Sequence, residues 1–143
     1  MTALNSDHNP RGKHPHTHTH TRIVPLLTKT KDVYVLWYGY YQILPKAHRH
    51  SLGQRIDTLF VETIEAVAVA SFLPSKEKAP YVRLAIKKLD TLRILLMVLW
   101  ETKSLVDKQY IALSVKLEEV GKMLGGWIGQ LIKQNSPAQT GEK

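Results

Sequence analysis

The sequence predicts an all-α chain, folded as an up-down-up-down antiparallel four-helix bundle, on three observations. Apolar residues recur at alternating spacings of three and four in four separate stretches, and that spacing lays one continuous stripe along each helix face. No stretch alternates apolar and polar residues in the manner of a strand. The breaks between stretches are short and carry proline or serine, and short connections favour antiparallel neighbours.

The elements follow in chain order. Residues 1–25 hold Pro10, Pro15 and Pro25 and alternate His with Thr at His14, His16, His18 and His20, with no apolar periodicity before Ile23. They read as a disordered arm. The bundle domain is expected over 26–134. Its first stripe is Val33, Trp37, Tyr40 and Leu44, ended by Pro45, which disfavours the helical region for its predecessor. Ser51 is placed to cap the second helix, whose stripe runs Leu52, Ile56, Leu59, Thr63, Ala66, Ala70 and Leu73 until Pro74 stops it. Ser75 to Pro80 reads as the next connection, with Pro80 tolerable in a first turn. The third stripe is Ala85, Leu89, Leu92, Leu96 and Leu99. Thr102 to Asp107 then connects to the fourth, with Ser104 as a cap before Asp107. Leu113, Leu117, Val120, Leu124, Trp127 and Leu131 complete the set, and 135–143 reads as a flexible tail.

Composition narrows the function classes. At 143 residues the chain suits one domain. The absence of cysteine excludes disulfide frameworks, thiolate nucleophiles and Cys-ligated zinc, and fits a reducing compartment. The longest apolar run, Ile94 to Trp100, is far short of the ~20 residues that span a bilayer. The first residues are polar, without the apolar stretch of a secretory signal, so a cytoplasmic protein without membrane contact is expected. Net charge is +8, with pI ≈ 9.7, which draws a chain to polyanions or acidic surfaces. Residues 31–143 alone carry 16 Lys and Arg against 11 Asp and Glu, so the folded part is itself basic.

No catalytic residue is expected. His48 and His50 are the only histidines after the arm, and they stand beside Lys46 and Arg49 with no carboxylate to orient them before Asp57. Glu62, Glu65, Glu118 and Glu119 lack the His three residues on that a di-iron bundle needs. No glycine-rich phosphate loop is present, and no cofactor is implied. The His-rich arm offers imidazoles, but without carboxylate or cysteine partners it is not a preorganised site, and no metal is expected.

The basic residues say more. Arg83, Lys87 and Lys88 lie on one flank of the third helix, preceded by Lys76 and Lys78 in the connection. The opposite end of the bundle offers Lys46, Arg49 and Arg55. Clustered cations neutralise phosphates without reading sequence, and they also make ordinary solvated helix faces. Arg93 sits in the most apolar part of the third helix and must snorkel, pair inside the bundle with Glu62 or Glu65, or face a partner. Apolar residues outside the stripes (Tyr34, Tyr38, Tyr41, Val61, Ile64, Val67, Ile94, Val98 and Ile128) widen the apolar faces toward self-association. Gly121, Gly125 and Gly129 recur every fourth residue of the fourth helix, at roughly 1 kcal/mol each relative to Ala. Such a ridge, with Trp127 in the same turn, serves close packing within the bundle or against another subunit.

Two segments carry a family resemblance over roughly Leu26 to Leu131. Leu44-Pro45-Lys46-Ala47-His48-Arg49-His50-Ser51-Leu52-Gly53 resembles the loop between the first two helices of the 23S ribosomal RNA intervening-sequence four-helix bundle family. Within it, Leu89-Asp90-Thr91-Leu92-Arg93 and Gly121-Lys122-Met123-Leu124-Gly125-Gly126-Trp127-Ile128 resemble the accessory variability determinant (Avd) proteins of diversity-generating retroelements. The resemblance implies a basic homopentameric barrel of bundles that binds reverse transcriptase and nucleic acid, its template RNA or the cDNA. Such a protein supports mutagenic reverse transcription without being the polymerase. Arg93 matches an arginine that serves association with the transcriptase, while a second family arginine one turn later is Met97 here.

The reading is therefore a non-enzymatic accessory protein and homo-oligomer. Arg93 is assigned to the protein partner, and Lys46, Arg49, Arg55, Arg83, Lys87 and Lys88 to phosphate contacts. Gly121, Gly125, Trp127 and Gly129 are assigned to helix packing or oligomerisation. The alternative is an intervening-sequence-type bundle of unknown role with no transcriptase partner; a metal-binding module built on the His arm is a third class.

Overall fold

The computed structural model describes residues 17–136, with side chains described from Pro25 onward. It contains α1 (Thr17–Gln42), α2 (Lys46–Arg49), α3 (Leu52–Phe72), α4 (Ser75–Glu101) and α5 (Asp107–Gln134), and no strand among the described residues. The four long helices are the four periodic stretches, and α2 is a single turn folded into the first connection. α1 packs on α3 and α5, and α4 packs on the same two, so the order around the bundle is α1, α3, α4, α5.

Side-chain pairs give the direction of each neighbour. Tyr34 meets Phe60 while Trp37 reaches Asp57; Glu62 meets Lys88 while Ala70 meets Lys78; Trp100 meets Tyr110 while Ser75 reaches Gln134. In each set one residue number rises as the other falls, which makes every consecutive pair of long helices antiparallel.

The stripes form the core. Val33, Trp37, Ile56, Leu59, Ala70, Ala85, Leu92, Leu96, Leu99, Leu113, Leu117, Val120 and Leu124 are all buried. Each buried Leu or Ile contributes about 1.5–3 kcal/mol. Stacked rings form one end of the interior, with Tyr41 on Trp37 at 5.3 Å and Trp37 on Phe60 at 5.8 Å between centroids. Trp37 Nε1 donates to Asp57 Oδ1 at 3.2 Å, which satisfies the indole without a core cavity. Buried Thr30 and Thr63 donate to the carbonyls of Leu26 and Leu59 four residues back, so neither hydroxyl is left unsatisfied.

Several boundaries differ from the sequence reading. α1 begins at Thr17, so it takes in the last nine residues of the stretch read as an arm, with Pro25 inside the helix. Residues 1–16, including His14 and His16, lie outside the described residues, as do 137–143 of the tail; the side chains of His18 and His20 are likewise not described. α4 starts at Ser75 rather than after Pro80. Proline near a helix start leaves only one carbonyl without a donor, here that of Lys76, an exposed residue. Lys76 and Lys78 are therefore helical. Lys78 is buried, and its Nζ donates at 2.7 Å to the carbonyl of Ala70, an acceptor in the last turn of α3.

Neither expected serine cap makes a capping bond. Ser51 precedes α3, but its Oγ donates to Ala47 O, while α5 is capped at Val106, whose N–H donates to Gln109 Oε1 at 3.1 Å. Ser104 belongs instead to the end of α4. Lys103 N donates to Trp100 O at 3.0 Å and Ser104 N to Leu99 O at 2.8 Å, the paired bonds of a Schellman closure. That closure puts Lys103 at φ 70°, a left-handed position usual for glycine and costing an L-residue roughly 1–2 kcal/mol.

Candidate nucleic-acid and partner interface

Helix geometry distributes the predicted cations over three surfaces. Arg83 and Lys87 are one turn apart and exposed on the outer face of α4. Lys88, on the α3-facing flank, meets Glu62 at 2.9 Å, and both side chains are partly buried, so its charge is already paired. Lys46, Arg49 and Arg55 belong to the other end of the bundle, with α2 and the first turn of α3. Arg49 is half-buried there, and its guanidinium Nη2 donates to Leu44 O at 2.9 Å, bracing the turn across Pro45. Lys46 and Arg55 are exposed. The eighteen residues from Arg83 to Glu101 rise about 27 Å, so these two basic regions do not form one patch.

The third surface is the groove between α4 and α5, with a volume of about 280 Å³. Leu89, Gly121 and Gly125 line it beside Asp90 and Arg93 of α4 and Glu118 and Lys122 of α5. It presents two carboxylates and two cations around a smooth floor. Arg93 is exposed here and makes no ion pair within 4.0 Å among the described residues. Pairing with Glu62 or Glu65 is ruled out by position, since those residues belong to α3 and Arg93 lines the groove with α5.

Packing within the bundle does not explain the glycine ridge. A Cβ at Gly121 would meet Arg93 Nη1 at 3.5 Å and Leu89 Cδ2 at 3.6 Å, ordinary contacts, and Cβ atoms at Gly125 and Gly129 would meet nothing within 4 Å. The ridge faces the groove and then open space. Trp127 is separate from it: buried in the core, it lies under Lys78, whose Nζ is 6.0 Å from the ring. Burial lowers the Lys78 pKa from its ordinary value. The glycine that does need close approach is Gly53, where a Cβ would sit 2.8 Å from Leu44 Cδ1 and 3.0 Å from His48 O.

A family model for bAvd-like proteins matches residues 25–131. The chain belongs to the bAvd-like family. That match takes in α3 and α4 whole, most of α1 and α5, the α4–α5 groove and both basic regions. No curated protein and no solved structure matches this bAvd-like chain. No helix among the described residues is long and apolar enough to cross a membrane, and no group of three or more potential metal ligands occurs among them.

Sequence reasoning passed over three cations that the fold makes prominent. Lys122 enters the groove because it follows Gly121 on the exposed side of α5. Lys103 and Lys108 are exposed at the end of the bundle shared with Lys46. Their only signal in the sequence is a lysine on either side of a short connection.

Proposed function

We propose that this chain is the accessory subunit of a diversity-generating retroelement, binding its reverse transcriptase and its template RNA or cDNA to support mutagenic reverse transcription. The observation that carries this reading is the bAvd-like match over residues 25–131. Arg93 is the residue offered to the transcriptase: exposed beside a glycine-floored groove and without an ion pair among the described residues, it presents a planar fork of donors to a partner. Phosphate contacts fall to exposed lysines and arginines, which bind any sequence and weaken with salt.

The same reading includes a homo-oligomer, a pentamer by family resemblance. Exposed apolar side chains stand on both halves of the bundle, with Val35 and Tyr38 on α1 and Ile94, Ile111 and Val115 on α4 and α5. Apolar side chains left exposed outside the core favour association with further copies, and head-to-tail contacts form a ring where the rotation between copies closes. Capture of the chain by its cognate transcriptase tests the function, with Arg93→Ala expected to weaken capture about tenfold or more, as for an interface anchor. Capture unchanged by that substitution removes Arg93 from the interface; no capture of the wild type sinks the transcriptase reading. Light scattering should give about five times 16.3 kDa, and a monomer mass would remove the ring.

A further inference from the structure

Lys103 differs from every other exposed cation in its backbone. Among the described residues it is the one non-glycine with positive φ, at the position closing α4 where glycine is ordinary. A lysine kept in a conformation that glycine adopts freely points to a use for its side chain. Its neighbour Ser104 supplies that surface with a second element: Ser104 Oγ and His48 Nδ1 are 2.5 Å apart, so the α4–α5 loop and the α2 turn are tied together. Lys46, His50, Lys103 and Lys108 are all exposed around this tie. Three carboxylates share the end, Asp57, Glu101 and Asp107; Asp57 Oδ1 accepts from Trp37 Nε1 at 3.2 Å and Asp107 Oδ1 from Trp100 Nε1 at 2.8 Å. Lys46, Arg49, Arg55, Lys103 and Lys108 outnumber them, so the end remains net positive.

We propose that this end of the bundle, centred on Lys46 and Lys103, grips the phosphate backbone of a nucleic-acid strand. The proposal rests on the nucleic-acid reading above and gives it a location. Two ammonium groups on flexible stems, carried by segments that the His48–Ser104 hydrogen bond ties together, are point charges suited to positioning a backbone rather than reading bases. A lysine at this position also complements the negative end of the α4 dipole, and a purely structural role of that kind predicts an effect on stability alone.

The test titrates a labelled single-stranded RNA oligonucleotide with the full chain over a range of salt concentrations. The variants are Lys103→Gly and Lys46→Ala, each with a urea unfolding curve. Lys103→Gly should raise the unfolding midpoint yet weaken RNA binding about threefold to tenfold at low salt, and flatten the log–log salt dependence by about 0.7, one single-strand phosphate contact. Lys46→Ala, which leaves the closure of α4 untouched, should weaken binding similarly. Wild-type affinity and slope in both Lys103→Gly and Lys46→Ala overturn the location and leave the nucleic-acid reading standing. A wild-type chain that binds no RNA at any salt concentration, even one that captures an acidic protein through this end, overturns both.

Discussion

Replacing Gly125 and Gly129 together by alanine should stabilise the protomer, although glycine at every fourth position looks like a packing requirement. At both positions the added Cβ meets nothing within 4 Å, so there is neither a clash nor a new buried contact. What remains is the helix term, in which alanine is favoured over glycine by roughly 0.8–1 kcal/mol per residue. Both sites lie inside α5, away from its ends, so the double variant should gain about 2 kcal/mol. For a domain of this size that corresponds to a rise of roughly 6–10 °C in Tm, or about 1 M in urea midpoint with an unchanged m-value. The assay is urea unfolding at concentrations low enough that the midpoint no longer depends on protein concentration, which separates folding from association. A midpoint unchanged or lowered would refute the reasoning, because it would mean that the ridge is packed within the fold. If the same face meets another subunit, the two methyl groups occupy that neighbour's space, so the stabler protomer should associate more weakly. Opposite signs in the two measurements would identify the ridge as a contact between chains.

Gly53→Ala should behave in the opposite way: its Cβ is pressed against Leu44 Cδ1 and the fixed carbonyl of His48, so overpacking outweighs the propensity gain and the urea midpoint should fall by the equivalent of about 1–2 kcal/mol. Tyr34 has its pKa raised from 10.0 to about 12, by burial first and then by its hydrogen bond to Asp57. Because the folded value lies above the unfolded one, the stabilisation tied to the neutral phenol is fully present below pH 10 and is lost as pH rises through about 12. Ultraviolet titration of phenolate should therefore show one late-titrating tyrosine that Tyr34→Phe removes, and unfolding measured across that range should lose part of its pH dependence in the variant.

The four stripes were legible because burial in a bundle is periodic. Leu113, Leu117, Val120, Leu124, Trp127 and Leu131 can share one face only in a helix, and all six are buried. Chain ends and connections were less legible, since their bonds are made by residues far apart in sequence. Ser104 has the chemistry of a cap, but its hydroxyl meets His48, fifty-six positions away, and α5 is capped through Gln109 instead. Lys88 and Arg93 look alike as cations of one helix, yet five residues of helical rotation turn the first toward Glu62 on α3 and the second into the groove with α5. Periodicity and composition were enough for the four long helices, the stripe that each buries, the basic charge and the family, but not for α2 or for the starts of α1 and α4. Tertiary structure alone decided which cations are already paired, that the glycine ridge stands open, and that Lys103 closes α4 in a glycine conformation, because each depends on what another helix places within a few ångströms.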